Sequence, residues 1–379
     1  MKTMFQFRIA VFGLVLVFCF PILALVGARK VHNSLSEINA CRDRIKLELD
    51  KEWESSLASG KAQAFSEPRD IEIGKNGEIY VADSEKKQIR VFDKTGNPAR
   101  TIGKEGVKPG EFLYPTSLAL DSHGNMVIGD EGWRGIQILD PAGKTIASFR
   151  VIEWLFGRIA LTQKNEIILP NTERTLKPSP LLVLYNYQGK MMEKIGERGG
   201  GGSEWAIFFK NLVYTSSDYQ GNIFVAFLTR PLILKFSRIG EQSMEITYEL
   251  PFKIPEESTD QDVFVASAEP FVKSLSLDPQ GNIYLVTQRR RKNAEEKTIG
   301  RQVTSMDENK YSKITTLKSN VKSESTDLNQ LLVFNSSGKI LASKQLNIYC
   351  DQVKVARDSL FLIDTYVARK ISKYKISFK

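Results

Sequence analysis

Three aspartates end short apolar runs at equivalent places in the sequence. Asp83, Asp130 and Asp364 each close such a run. Divalent cations such as calcium and magnesium prefer oxygen ligands, carboxylates above all. These three residues are therefore candidate ligands for a metal ion, provided that the fold brings the ends of the runs together.

The chain offers few other groups for catalysis. It contains two histidines, His32 and His123. It has no Gly-x-Ser-x-Gly segment, no Cys and His pair and no spacing typical of zinc ligands, which are the patterns of nucleophilic and zinc enzymes. The sequence thus predicts no cofactor, and a divalent cation at the aspartates is the alternative.

The aspartates belong to an internal repeat. A short turn centred on glycine precedes an alternating apolar run in four units, and a second glycine turn follows. Asp, Asn and Ser favour such turns, and glycine accepts the positive φ that they require. The first glycines are Gly77, Gly124, Gly221 and Gly281, and the second are Gly96, Gly143, Gly189, Gly240 and Gly338. A repeat of this kind indicates a solenoid, a propeller or another array.

Each unit predicts four short antiparallel strands, here called a to d, because apolar residues alternate with period two between the turns. A lone sheet of this size cannot bury both faces, whereas units stacked around an axis can. The units span 68–103, 115–151, 155–196, 211–250 and 271–346, and a sixth with three strands starts near 352. We expect an all-β protein, with a six-bladed β-propeller of four-stranded antiparallel blades over 68–379 and an insertion at 288–330 in blade 5.

The first unit resembles the NHL repeat of six-bladed propellers. The resemblance is carried by Pro68-Arg69-Asp70-Ile71, by Gly77 to Asp83 and by Gln88 to Asp93 with Gly96. It extends more loosely over most of the remaining chain. It implies the fold but no single activity, because this scaffold hosts binding proteins, RNA-binding proteins and lyases. The metal-holding histidines of the propeller lyases are not matched, and in NHL-like repeats an aspartate at the end of strand b more often bonds backbone amides.

The N-terminal residues indicate export. Lys2 and Arg8 precede an apolar stretch from Ile9 to Val26, and small residues follow it. Residues 1–28 are therefore predicted to be a signal peptide. An uncleaved membrane anchor helix is the alternative, because the stretch is close to the shortest length that spans a bilayer. Either way the propeller would lie outside the cytoplasm, in the periplasm, at the cell surface or secreted, with the membrane contacted only through this segment.

Residues 29–67 carry two patterns. Ser34 and Glu37 form a capping box, which predicts a helix, whereas Ile45, Leu47 and Leu49 alternate as in a strand. The sixth blade needs a fourth strand, and a strand from the N-terminal segment would remove its exposed edge. We expect a short helix near 34–42 and a ring-closing strand near 44–50, with one continuous helix as the alternative.

Two cysteines remain if a signal containing Cys19 is removed. Cys41 and Cys350 could then form a disulfide in an oxidising compartment. The expected positions at opposite ends of a blade exceed the Cα separation that a disulfide tolerates. Two separate thiols are therefore the favoured interpretation, and a disulfide is the alternative.

Loop lengths divide the disc into two faces. The a–b and c–d turns are tight and lie on one face, here called the tight-turn face. The b–c loops and the connections between blades lie on the other, the long-loop face. All the long segments belong to the second face: 104–114, 170–180, 197–208, 251–270 and 288–330. Long loops on a rigid scaffold frequently bind partners.

The candidate binding residues of the long-loop face are aromatic or basic, as is typical of recognition anchors. The insertion opens with an arginine run. A solvated insertion without fixed structure is the favoured interpretation, and a basic arm for an acidic partner is the alternative. For the two tryptophans, packing between blades is the alternative. The candidates are Trp133, Arg134, Arg174, Trp205, Arg230, Arg289, Arg290, Arg291 and Tyr366.

The sequence therefore predicts a non-enzymatic propeller that binds a protein, peptide or glycan, and its basic insertion suits a partner that carries acidic groups. The formal net charge is +9, but export argues against a nucleic acid partner. The alternative is a metal-dependent enzyme, similar to the propeller lactonases or lyases, that uses the central channel.

Overall fold

A computed structural model describes residues 27–53, 65–151, 158–251, 271–288, 301–305, 312–316, 329–365 and 368–379. These residues form six blades of four antiparallel strands, one of which gains a fifth strand. The innermost strands of neighbouring blades contact one another in a closed ring. The expected all-β, six-bladed propeller is confirmed.

The strands of each blade follow the order a to d from the axis outwards. Blade 1 contains β3 (Pro68–Ile73), β4 (Ile79–Asp83), β5 (Gln88–Phe92) and β6 (Pro98–Ile102), and blade 2 contains β7 (Pro115–Leu120), β8 (Met126–Asp130), β9 (Gly135–Leu139) and β10 (Thr145–Arg150). Blade 3 contains β11 (Ala160–Leu161), β12 (Ile167–Pro170), β13 (Pro180–Tyr185) and β14 (Met191–Glu197), and blade 4 contains β15 (Val213–Ser217), β16 (Ile223–Phe227), β17 (Leu232–Phe236) and β18 (Gln242–Tyr248). Blade 5 contains β19 (Val272–Leu277), β20 (Ile283–Gln288), β23 (Asn329–Phe334) and β24 (Ile340–Leu346), and blade 6 contains β25 (Gln352–Ala356), β26 (Ser359–Asp364), β27 (Lys370–Phe378) and β2 (Ile45–Trp53).

The sixth blade is closed by the N-terminal segment. Strand β2 pairs antiparallel with β27 from Ile45, opposite Phe378, to Trp53, opposite Ile371. Helix α1 (Leu35–Ala40) precedes it and begins at Ser34, which forms the expected capping box with Glu37. The alternation of apolar residues from Ile45 thus marks a strand, and one continuous helix does not form.

A further strand was not expected from the sequence. Strand β1 (Arg29–Asn33) pairs in parallel with β18 and widens blade 4 to five strands. Asn33 also bonds the next blade, donating to the Gly338 carbonyl at 2.9 Å and accepting from the Ile340 amide at 2.9 Å. Residues 29–53, here called the N-terminal strap, therefore cross blades 4, 5 and 6.

The apolar core lies between adjacent blades. One cluster joins Ile89 and Val91 of blade 1 to Met126 and Ile128 of blade 2, all of them buried. Another joins blades 5 and 6 and includes the fully buried Ile45. Burial of each such side chain contributes about 2 kcal/mol. Apolar contact between blades therefore stabilises both the disc and its closure.

The insertion in blade 5 contains a hairpin. Strand β21 (Arg301–Ser305) pairs antiparallel with β22 (Ser312–Thr316), with Arg301 opposite Thr316. These two strands form a sheet of their own, separate from the blade. The interpretation of the whole insertion as lacking fixed structure is therefore wrong for these ten positions.

Cys41 and Cys350 are both buried free thiols, so the favoured interpretation of two separate cysteines holds in the structure. Among the helices of the described ranges, none combines the length and apolar character needed to cross a bilayer. The apolar stretch at residues 9–26 lies outside those ranges.

Candidate functional site

The three aspartates accept hydrogen bonds from backbone amides. Their carboxylates tie the end of each b strand to neighbouring loops over 2.8–3.2 Å. The donors are Ser66 and Glu67 for Asp83, Leu113, Tyr114 and Trp133 for Asp130, and Ala368 for Asp364. These bonds favour the structural role over metal binding. Within the part of the chain that the structure describes, no group of three or more His, Cys, Asp or Glu residues could hold a metal ion.

Trp133 packs within its own blade. The Arg150 guanidinium lies 4.5 Å from the centre of its ring and donates a hydrogen bond to its backbone carbonyl. The neighbouring Arg134 adopts a left-handed backbone with φ of 57°. Both residues are half-buried in the b–c loop of blade 2. These contacts favour packing of Trp133 over a role as an exposed anchor, but they lie within blade 2, whereas the predicted packing was between blades.

Arg174 and Trp205 are brought together on the long-loop face. Arg174 lies in the β12–β13 loop, and Trp205 lies in helix α2 (Glu204–Lys210) between blades 3 and 4. The Arg174 guanidinium is 4.6 Å from the centre of the Trp205 ring. Arg174 is exposed and Trp205 is 38% exposed. Two predicted anchors from separate loops thus form one exposed cation–π pair.

The elements beneath this pair are fixed by polar contacts. Arg198 donates to the Glu173 carbonyl and to the Ser179 hydroxyl, which holds both sides of the Arg174 loop. Asn211, at the end of α2, exchanges hydrogen bonds of 2.8 and 3.0 Å with the backbone of Gly199. These hydrogen bonds therefore fix the two elements that carry Arg174 and Trp205.

The ring of Trp205 also rests on aromatic neighbours. It stacks on Phe209 at 6.0 Å and meets Phe208 edge-on at 5.8 Å. Arg230, another predicted anchor, lies in the b–c loop of blade 4 with its guanidinium 4.0 Å from the ring centre of Phe227. The other candidates, Arg289, Arg290, Arg291 and Tyr366, lie outside the described residues.

A group of ionisable residues that was not predicted from the sequence lies where the central channel meets the long-loop face. We call this group the axial mouth: Glu67, Arg69, Tyr114, Glu131, Tyr214 and Asp351. The Tyr114 hydroxyl donates to Glu67 Oε1 at 2.6 Å, and Arg69 Nη1 lies 3.8 Å from the same oxygen. The residues come from blades 1, 2, 4 and 6, so only ring closure brings them together.

Burial perturbs the acids of the axial mouth. Burial and then the charges of Glu67 and Asp130 raise the pKa of Glu131 to about 7, against the opposing effect of Arg69. Burial also raises the pKa of Asp351, although the Thr365 amide donates to its carboxylate at 2.9 Å. A carboxyl group with a pKa near neutrality can be charged or uncharged at physiological pH.

Arg158 crosses the channel below the axial mouth. It enters from blade 3, and its Nη1 donates to the Val353 carbonyl of the opposite blade 6 at 2.9 Å. Its Nη2 donates to Gln352, and its Nε lies 3.3 Å from Asp70 Oδ1 of blade 1. This side chain divides the channel into two parts.

Comparison with known proteins agrees with this architecture. The DUF5128 family model, described as a 6-bladed beta-propeller, matches residues 57–140. A probable peptidyl-alpha-hydroxyglycine alpha-amidating lyase of Caenorhabditis elegans is 35% identical over 106 residues, which are 27% of this chain and 28% of that protein. The brain tumor protein of Drosophila melanogaster is 23% identical over 137 residues, 35% of this chain and 12% of that protein. The chain is a six-bladed β-propeller with NHL-like repeats.

Two solved structures resemble the NHL-like propeller along most of its length. A DUF4221 member from Bacteroides vulgatus has a TM-score of 0.59 at 11% identity and covers 88% of this chain and 99% of its own. A Bacteroides fragilis protein has a TM-score of 0.57 at 10% identity and covers 93% and 100%. At these identities the likeness concerns the fold alone. The NHL-like propeller spans less than a third of the two sequence relatives named above.

Proposed function

We propose that this propeller is a non-enzymatic binding protein that acts outside the cytoplasm and takes a protein, peptide or glycan on its long-loop face. The observation that carries the proposal is the exposed pair of Arg174 and Trp205. Tryptophan and arginine are the residues most enriched among the anchors of recognition surfaces. Here they are supplied by a loop of blade 3 and by helix α2 between blades 3 and 4, and these elements are held by Arg198 and Asn211.

Site-specific photo-crosslinking in the full chain, in its native cell envelope, tests the proposal. A photo-reactive residue at Leu176, which is 64% exposed in the Arg174 loop, should give a discrete adduct. The matched control is Tyr219, 66% exposed in the a–b turn of blade 4 on the tight-turn face, which should give none. Trp205→Ala should abolish the adduct at Leu176. Equal adducts at both positions, or an adduct unaffected by Trp205→Ala, would contradict the proposal.

One observation favours the enzyme alternative. Glu131, with its pKa raised to about 7, could transfer protons at the axial mouth at neutral pH. The lyase of Caenorhabditis elegans is 35% identical to this chain over 106 residues, and this match covers 27% of the chain. The enzyme alternative predicted from the sequence is metal-dependent, so metal content distinguishes it from the binding protein.

A further inference from the structure

The lower part of the central channel is a distinct cavity. It has a volume of about 150 Å³, and residues from all six blades line it, with Arg158 at its upper end. Leu120, Leu161 and Ser217 line it and are the last residues of their strands before the tight turns. We call this cavity the lower chamber. It therefore reaches the tight-turn end of the channel, away from the Arg174 and Trp205 pair.

An ion pair between two blades lines the lower chamber. Lys354 Nζ of blade 6 is in direct hydrogen-bond contact with Glu72 Oε1 of blade 1. Their side chains are 24% and 18% exposed, and burial raises the pKa of Glu72 while Lys354 opposes the shift. Ion pairs removed from water contribute little to stability, and apolar side chains of the same size would join the blades equally well. The position of this pair suits recognition of charged groups.

The charges of the lower chamber balance. Lys354 faces Glu72, and Arg158 Nε lies 3.3 Å from Asp70 Oδ1. A ligand with a net charge would leave one charge uncompensated in a partly buried site, which is costly. A ligand that carries one positive and one negative group preserves the balance and can contact both members of the Lys354 and Glu72 pair.

The rest of the wall is mainly polar. It is lined by Thr215, Ser216, Ser217 and Ser276 and by the partly exposed Leu120 and Leu161, and the described residues that line it include no aromatic ring on which a sugar could stack. A volume of about 150 Å³ suits a molecule no larger than an aliphatic amino acid. The wall therefore offers charged groups for the two ends of a ligand and a small, mainly polar space between them.

We propose that the lower chamber binds a small zwitterion of amino-acid size. Its ammonium group contacts Glu72, its carboxylate contacts Lys354, and its remaining atoms lie beside Leu120 and Leu161. This site is separate from the long-loop face and does not rest on the function proposed for that face.

Ligand-observed NMR and calorimetry on the purified full chain test this site with defined probes. The probes are glycine, alanine, valine and leucine, and for each binder the amine that lacks the carboxylate and the acid that lacks the ammonium group. At least one amino acid should bind at least about tenfold more tightly than both of its analogues. Absence of binding by all four, or an analogue that binds within tenfold of its parent, would overturn the proposal.

Variants locate the site. Glu72→Gln and Lys354→Met should each weaken binding of the amino acid by at least about tenfold. The matched control is Lys75→Met, at an exposed lysine of the same face that contacts the Ser122 carbonyl and does not line the chamber. If Glu72→Gln fails to fold, Leu161→Phe, which fills the chamber and leaves the ion pair intact, should abolish binding. Retained binding in Leu161→Phe would overturn the proposal, and crosslinking at Leu176 reports the long-loop face independently.

Discussion

Replacement of Glu131 by glutamine tests the electrostatics of the axial mouth. The pKa of Glu131 in the folded protein is about 7, above its ordinary value of 4.5, because burial and the nearby acids disfavour its charged form. Between these two values the folded protein binds more protons than the unfolded chain, so stability falls as pH rises. Glutamine stays neutral and avoids this loss.

The expected change in stability follows from the shift in the pKa of Glu131. A difference between about 7 and 4.5 corresponds to about 3 kcal/mol when the group is fully charged. Glu131 is partly exposed, so solvent screening reduces the effect to about 2 kcal/mol. The stability of Glu131→Gln relative to the unmodified protein should therefore rise by about this amount between about pH 5 and about pH 8.

Urea unfolding at the two pH values measures the difference. Glu105→Gln is the matched control, since Glu105 is exposed in the long segment between blades 1 and 2. Its relative stability should change little with pH. A Glu131→Gln protein that loses relative stability at the higher pH would show that Arg69 stabilises a charged Glu131, and the reasoning from burial would be refuted.

Three further measurements test the fold and the choice of function. Ile45→Ala should lower the free energy of unfolding in urea by about 2–4 kcal/mol, because Ile45 is fully buried between blades 5 and 6. Leu49→Ala in the same strand, at a side chain 58% exposed, should lower it by less than about 1 kcal/mol. Equal losses would contradict closure by β2. The hydrogen bond from Arg100 lowers the pKa of Glu78 to about 2. The stability that this ion pair contributes should therefore be present above about pH 4.5 and lost as the pH falls towards 2. Glu78→Gln should accordingly lower the free energy of unfolding by about 1 kcal/mol near neutral pH, after allowance for solvent screening, and by nothing near pH 2. A loss of stability that does not depend on pH would be inconsistent with this ion pair. Metal analysis of the purified protein should find no stoichiometric divalent ion; an ion that is lost on replacing Asp83 and Asp130 by asparagine would favour the enzyme.

The repeat made most of the fold predictable. Glycine turns and alternating apolar residues are local signals, and they recur in almost every blade. The closing strand could also be predicted, because Ile45, Leu47 and Leu49 alternate and the sixth unit lacks a strand. Strand β1 could not, because its five residues carry no clear alternation and its partner β18 lies far away in the sequence.

The candidate binding residues were predicted less completely. Arg174 and Trp205 could be proposed from residue type and loop position, but their contact depends on how two blades meet. Arg158 and Glu72 carry no local signal of function, since each is a single charged residue near a strand. Their shared channel exists only because six separate strands converge on one axis. One signal was available: charged residues recur at the strands nearest the axis, where apolar residues would be expected.

The pairing of β2 with β27 has a consequence for synthesis. During translation, β2 emerges from the ribosome before any complete blade, whereas β27 emerges after the first five blades. Strand β2 therefore lacks its final neighbour until nearly all of the propeller has been synthesised. Its exposed edge could pair with the wrong strand in that interval, so chaperones that delay folding would favour correct closure.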